Sequence, residues 1–237
     1  MVAGRAILRL VPRRLFRVSA LVTLILALAL SRARALTPNI DREQLDEALL
    51  FGRQATTAER QAFHDGYQRT LKDSLVRRIS IVSEYRRVVL SLEEKMRLLD
   101  RNYGQRQMTQ MLVPWRGLVE VIAEVQLHPQ NTYIGVPMYD VLLVRLDGPA
   151  AGTVLVPEAN DRRPHFGAYW DPPPMGAPWW PFPPTNAPVI GRSEPLTGGW
   201  LQARFDANLL TTGRFDVVVK DGAATLGTAQ FDMGAIK

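Results

Sequence analysis

Strict alternation of apolar and polar residues dominates the chain after Pro114, and it leaves few folds open. Val119, Val121, Ala123, Val125 and Leu127 interleave with Leu118, Glu120, Ile122, Glu124 and Gln126. A period of two sends successive side chains to opposite faces of a sheet. Leu201, Ala203, Phe205, Ala207 and Leu209 repeat the pattern against Gln202, Arg204, Asp206 and Asn208. Phe215, Val217 and Val219 lead into Asp221-Gly222, a two-residue hairpin signal, and on through residues 223–231. Strands are also expected at 139–146 and 153–157, either side of the turn Asp147-Gly148-Pro149. Short strands without helices between them exclude a parallel βαβ fold, whose crossovers are helical. The expected class is mainly β: an antiparallel β-sandwich, immunoglobulin-like or C2-like in general shape, over residues 113–237.

Residues 36–112 read as a helical, α+β region. Asp41 and Gln44 stand in capping-box spacing, with Ile40 and Leu45 at the two positions of a hydrophobic staple, so a helix begins there and ends near Gly52. Thr56 and Glu59 repeat the signature for a second short helix that stops at Gly66. Leu71, Leu75, Ile79 and Ile81 then share one parity, which is strand-like. A longer helix is expected from Ser91-Leu92-Glu93-Glu94 onward, with Leu92, Met96, Leu99 and Tyr103 as its apolar stripe and Gly104 as its end. Residues 85–90 are rich in β-branched types and fit either the preceding strand or the first turns of that helix. Arg77-Arg78 and Arg86-Arg87 read as outward faces of amphipathic elements.

Residues 1–35 carry the address. Five arginines precede the uncharged run 18–30, and Ala33-Arg34-Ala35 has the small-x-small form of a signal-peptidase site, so cleavage is expected after Ala35 and the mature chain in the periplasm or outside the cell. That run has 13 residues, whereas about 20 are needed to span a bilayer, so no permanent membrane span is expected once it is cleaved. The stretch Arg13-Arg14-Leu15-Phe16-Arg17 resembles part of a bacterial twin-arginine signal, although Arg17 and Val18 depart from it and the leucine-rich core fits the general secretory route. Cleavage takes seven of the 29 basic residues and no acid, leaving 22 against 23, so formal charge falls from +6 to −1. A protein that tracks phosphates must keep its Lys and Arg, so nucleic acid is not an expected partner. With no cysteine, the exported body has to be held by burial and hydrogen bonding alone.

Residues 169–188 are the compositional anomaly: Tyr169, Trp170, Trp179, Trp180 and Phe182 are interleaved with prolines. Proline fixes φ and removes donors, so the stretch is a loop of polyproline-II segments and turns that holds large rings at reduced entropic cost. Two roles compete: a recognition surface for a protein or polysaccharide, and a cover over the open end of the sandwich. The five rings are the candidate binding residues.

Little else points to chemistry. His64, His128 and His165 fall on three separate elements without paired ligand spacing, so neither a metal nor another cofactor is expected. There is no Gly-x-Ser-x-Gly elbow, and Thr197-Gly198-Gly199 reads as a turn rather than a phosphate loop. Glu158, Asp161 and Asp171 flank the aromatic loop, and acids beside Trp179 and Trp180 form the alternative reading, an envelope glycan hydrolase with two opposed carboxylates. The favoured expectation is an exported, non-enzymatic binding or assembly module.

Overall fold

The computed structural model describes residues 36–100, 103–128, 130–167 and 195–237. Among these, nine strands form two antiparallel sheets, accompanied by four α-helices. In chain order the elements are α1 (Arg42–Gln54), α2 (Thr57–Gly66), β1 (Gln68–Thr70), β2 (Val76–Val82), α3 (Glu84–Arg97) and α4 (Gln105–Leu112), then β3 (Leu118–Gln126), β4 (Asp140–Arg145), β5 (Val154–Leu155), β6 (Ala159–Phe166), β7 (Leu196–Asp206), β8 (Arg214–Asp221) and β9 (Ala224–Asp232). One sheet runs β1-β2-β3-β7-β6 and the other β5-β4-β8-β9. The protein is thus mostly β and sandwich-like, with the five-stranded sheet drawing strands from both sides of residue 112.

Alternation decides what each face meets. The odd-numbered apolar residues of β3 and β7, Val119, Val121, Ala123, Val125, Leu201, Ala203 and Phe205, join Val141, Leu143, Phe215, Val217, Val219 and Phe231 of the four-stranded sheet in one buried core. Leu36 is seated in the same core, and its N–H donates to Met233 O at 3.4 Å. The opposite face of the five-stranded sheet takes helix α3, where Val82, Leu90, Ile122 and Trp200 form a second, smaller cluster. A third cluster joins α1, α3 and α4 through Leu45, Ala48, Leu49, Tyr85, Val88, Val89, Leu92, Met108 and Leu112. The five-stranded sheet is therefore the middle of three layers.

Both expected capping boxes form. Asp41 accepts from Gln44 N at 2.8 Å while Gln44 Oε1 accepts from Asp41 N, and Thr56 and Glu59 do the same at α2. Helix α1 runs two residues past Gly52, which faces the core instead of ending the helix: a Cβ there would lie 3.0 Å from Leu92 Cδ2.

Other elements correct the sequence reading. Helix α3 starts at Ser83, whose hydroxyl accepts from Arg86 N at 3.2 Å, so residues 85–90 are helical and Ser91 lies mid-helix. It ends at Arg97, well before Gly104, and Met96 and Leu99 are exposed; Tyr85, Val88, Val89 and Leu92 form the real apolar stripe. Gly104 instead precedes α4, its N–H donating to Gln107 Oε1 at 3.2 Å. The strand-like run after Tyr67 is a hairpin of two strands, with Asp73 at φ 53° in its turn. Thr197-Gly198-Gly199 is strand, not turn: a Cβ on Gly198 would collide with the carbonyl oxygen of Val125 on β3, so glycine permits close pairing. The last apparent alternation, Ala207 to Leu209, winds into a 3-10 turn that buries Leu210 and leaves Leu209 exposed. Residues 159–166 form the unforeseen edge strand β6. It carries Pro164, which an edge tolerates because it needs no donor on its open side.

Candidate functional site

The candidate site is the end of the sandwich where β6 passes to β7. Phe166 pairs with Leu196 and Gly167 N–H donates to Pro195 O at 3.2 Å, so residues 168–194 depart from the closed tip of a β-hairpin. Tyr169, Trp170, Trp179, Trp180 and Phe182 lie outside the described residues, as does Asp171.

The β3–β4 connection returns to this same end. Leu127 N–H donates to Thr197 O at 2.9 Å, and Asn131 Nδ2 donates to Leu196 O at 2.7 Å. The connection then runs along β6: Arg162 Nη1 donates to Val136 O at 2.8 Å and Asn160 Nδ2 to Tyr139 O at 3.3 Å. Val136 packs where Gly199 has no side chain, which is the second use of the glycine pair. Fixed in this way, the connection leaves Tyr133, Ile134 and Met138 exposed, Ile134 at 99 % of its full area, and Phe166 on the hairpin is exposed as well. Together these residues form an exposed apolar rim held by a hydrogen-bonded frame. Sequence reasoning passed over this rim because 130–138 has no periodicity; the signal available was the apolar content of a stretch bounded by Pro129 and Pro137.

The other singled-out residues separate. Glu158 and Asp161 are exposed; Asp161 is engaged by Arg204 Nη2 at 2.7 Å, and Glu158 N–H pairs with Arg204 O at 2.8 Å. His64, in the last turn of α2, bonds the buried Glu93 Oε2 at 3.0 Å. His128 Nδ1 accepts from Gln130 N at 3.2 Å in a turn. His165 stands edge-on to Trp200 at 5.7 Å, and burial pushes its pKa below the usual imidazole range. Among the described residues no three His, Asp or Glu side chains are grouped to hold a metal ion. No described helix is long and apolar enough to cross a membrane.

Of the arginine doublets, Arg77 is exposed as expected and Arg78 half-buried, whereas Arg86-Arg87 is the largest departure from expectation. Arg86 and Arg87 are buried, together with Glu84, Glu93, Glu120, Glu124 and Gln202. Arg87 Nη2 reaches Glu120 Oε2 at 2.6 Å across the contact between α3 and the sheet, and Arg78 Nη2 meets Glu124 Oε2 at 3.0 Å. Trp115 lies between two guanidinium groups, 3.6 Å from Arg87 and 4.9 Å from Arg204. Glu84 accepts from Ile40 N at 3.1 Å and Gly117 N at 2.8 Å, which joins the start of α1 to the start of β3. Arg86 lies 5.0 Å from the Tyr67 ring centroid and donates to Ile81 O and Tyr67 O; burial lowers its pKa to about 10. These groups form a buried ionic layer between α3 and the five-stranded sheet, in which Arg86 Nε and Glu120 Oε1 have no hydrogen-bond partner.

Compared with protein-family models, curated proteins and solved structures, the chain matches none of them.

Proposed function

We propose that this chain is an exported, non-enzymatic protein whose aromatic, proline-rich segment between β6 and β7 binds a protein or polysaccharide partner. The observation that supports the reading is the Phe166–Leu196 pairing: the chain leaves the sheet after Gly167 and rejoins it at Pro195 at the same end as the exposed Tyr133, Ile134 and Met138. Rings on a proline-stiffened tip, next to an apolar rim, suit recognition because little entropy remains to be lost on binding. Asp161 is held by Arg204, which leaves it poorly placed as half of a hydrolytic carboxylate pair. Support for export comes from the leader pattern of residues 1–35. The stacking of two antiparallel sheets about one core supports an immunoglobulin-like or C2-like general shape.

Changing Trp179 and Trp180 together to Ala should abolish retention on an insoluble cell-wall glycan or on a cross-linked envelope protein, while replacing Glu158, Asp161 and Asp171 by Asn or Gln leaves retention intact. Equal retention of the tryptophan variant would overturn the reading. Fractionation should find the chain outside the cytosol, with Leu36 at its amino terminus; an uncut precursor in the cytosol would refute export.

A further inference from the structure

The four-stranded sheet turns one face to the core, and its opposite face is apolar too. A strand with one wet face normally alternates, whereas a continuous apolar run marks a strand covered on both sides. Val141-Leu142-Leu143-Val144 on β4 and Val217-Val218-Val219 on β8 are such runs. Their odd-numbered members are buried in the core, while Leu142, Val144 and Val218 point the other way and belong to none of the three buried clusters. Val154, which pairs with Val144, and Val156 extend the patch and are 50 % and 72 % exposed. Helix α3 covers the five-stranded sheet on its far side; the four-stranded sheet has the same apolar character there and calls for a cover of its own.

Charge on this face says what fits it. Along β8 the outward residues Asp216, Val218 and Lys220 place an acid and a base evenly on either side of a valine. Lys220 stands in register with Asp140, and at the far end Arg214 stands beside Asp232 and lies 3.5 Å from Asp147, so these charges have opposite neighbours in the same copy. Asp216 instead stands between Val144 and Gln230, neither of which carries charge. We infer that this face is the interface of a two-fold dimer of the chain. An axis along the Leu142–Val218–Thr228 rung seats Val218 on Val218 and sets Asp216 of each copy over Lys220 of the other. Lys220 then lies between Asp140 of its own copy and Asp216 of the second. Opposite charges spaced evenly about one row make a face complementary to itself, which favours a second copy over an unrelated protein. Across its four strands and the eight residues of β8 the face measures about 19 by 26 Å, a footprint of about 500 Å². That suits a dimer of moderate strength rather than a permanent one. The interface is separate from the hairpin end and does not depend on the binding proposed there.

In sedimentation equilibrium the full-length chain should pass from monomer to dimer between micromolar and submillimolar concentration. Asp216→Lys and Lys220→Glu each set like charges opposite one another, so each variant alone should sediment as a monomer. Mixed in equal amounts, the two should form a mixed dimer, because each supplies the charge that the other has lost. Recovery in the mixture also shows that both variants fold. Residues 1–35 are the same in every sample, so association through them would persist in the single variants. The chain has no cysteine, and Val218→Cys places a unique thiol at the axis, where a short bismaleimide should join two copies. Leu98→Cys, exposed at the end of α3, should stay unjoined under the same conditions. A monomeric wild type, single variants that still associate, a mixture that stays monomeric, or Val218→Cys chains that resist cross-linking would overturn the proposal.

Discussion

Arg87 carries its charge into a place from which water is nearly excluded, and burial pulls its pKa below the usual guanidinium range despite the neighbouring Glu120. Such a pair gains little over well-packed apolar residues, yet removing one partner strands the other, at a cost of about 3–5 kcal/mol. Arg87→Met and Glu120→Leu should therefore each destabilise severely in denaturant titration, while the double variant should lose much less than the sum. Additive losses would show that the two groups are not coupled. The near-ultraviolet signal of Trp115 should change with Arg87→Met, because that ring loses the cation stacked 3.6 Å away. Nothing in the doublet Arg86-Arg87 announces this in the sequence. Ten consecutive residues of α3, Glu84 to Glu93, are buried, so over that stretch the helix has no solvent face for a charge to mark. An amphipathic reading presumes such a face and must send the arginines outward.

Elements were legible where their signals are local. Asp41 with Gln44 and Thr56 with Glu59 name two helix starts because a capping box is closed by four neighbouring residues. The strands β3, β7 and β8 show because one face of each is apolar while the other carries polar residues, buried on β3 and β7, and a hairpin forms at the Asp221-Gly222 signal with Gly222, at φ 55°, and Ala223 as its turn residues. Strand β6 was hidden for the opposite reason: its residues Ala159 to Phe166 are partly or fully exposed, so no apolar alternation is needed. The candidate site was legible only as composition. Its aromatic residues drew attention, while the rim at Tyr133, Ile134 and Met138 depends on long-range bonds such as Asn131 to Leu196 that no local pattern encodes. The junction of β6 and β7 also yields a test. A methyl on Gly199 would collide with the carbonyl oxygen of Arg163 and with Val136, so Gly199→Ala should cost about 1–3 kcal/mol in chemical unfolding. Adding Val136→Ala should restore only part, since the carbonyl belongs to the backbone and cannot step aside. Full rescue would mean that β6 is less firmly placed than its register implies.

Across the whole molecule, buried ionisable groups pull stability in opposite directions with pH. Desolvation raises the pKa of Glu84 and of Glu124, against the backbone donors and arginines that face them. The folded state then holds protons more tightly than the unfolded one, so their contribution is complete below about pH 4.5 and is lost as pH rises through the folded values. His165 behaves inversely. Its folded pKa is lowered by burial, so its contribution is present above about pH 6.5 and is lost as pH falls through the folded value. Thermal unfolding measured across this range should show Glu84→Gln and Glu124→Gln flattening the decline toward neutral pH, and His165→Asn flattening the decline toward acid. Parallel curves for wild type and all three variants would remove these groups from the account.

The outer border of the five-stranded sheet adds a consequence for crowding. Along β6, Pro164 withholds a donor while Arg162 and Arg163 bring like charges to the rim. Another copy approaching in register would meet a gap in its ladder and mutual repulsion. At high concentration, molecules are thereby kept from zipping border to border into fibrils.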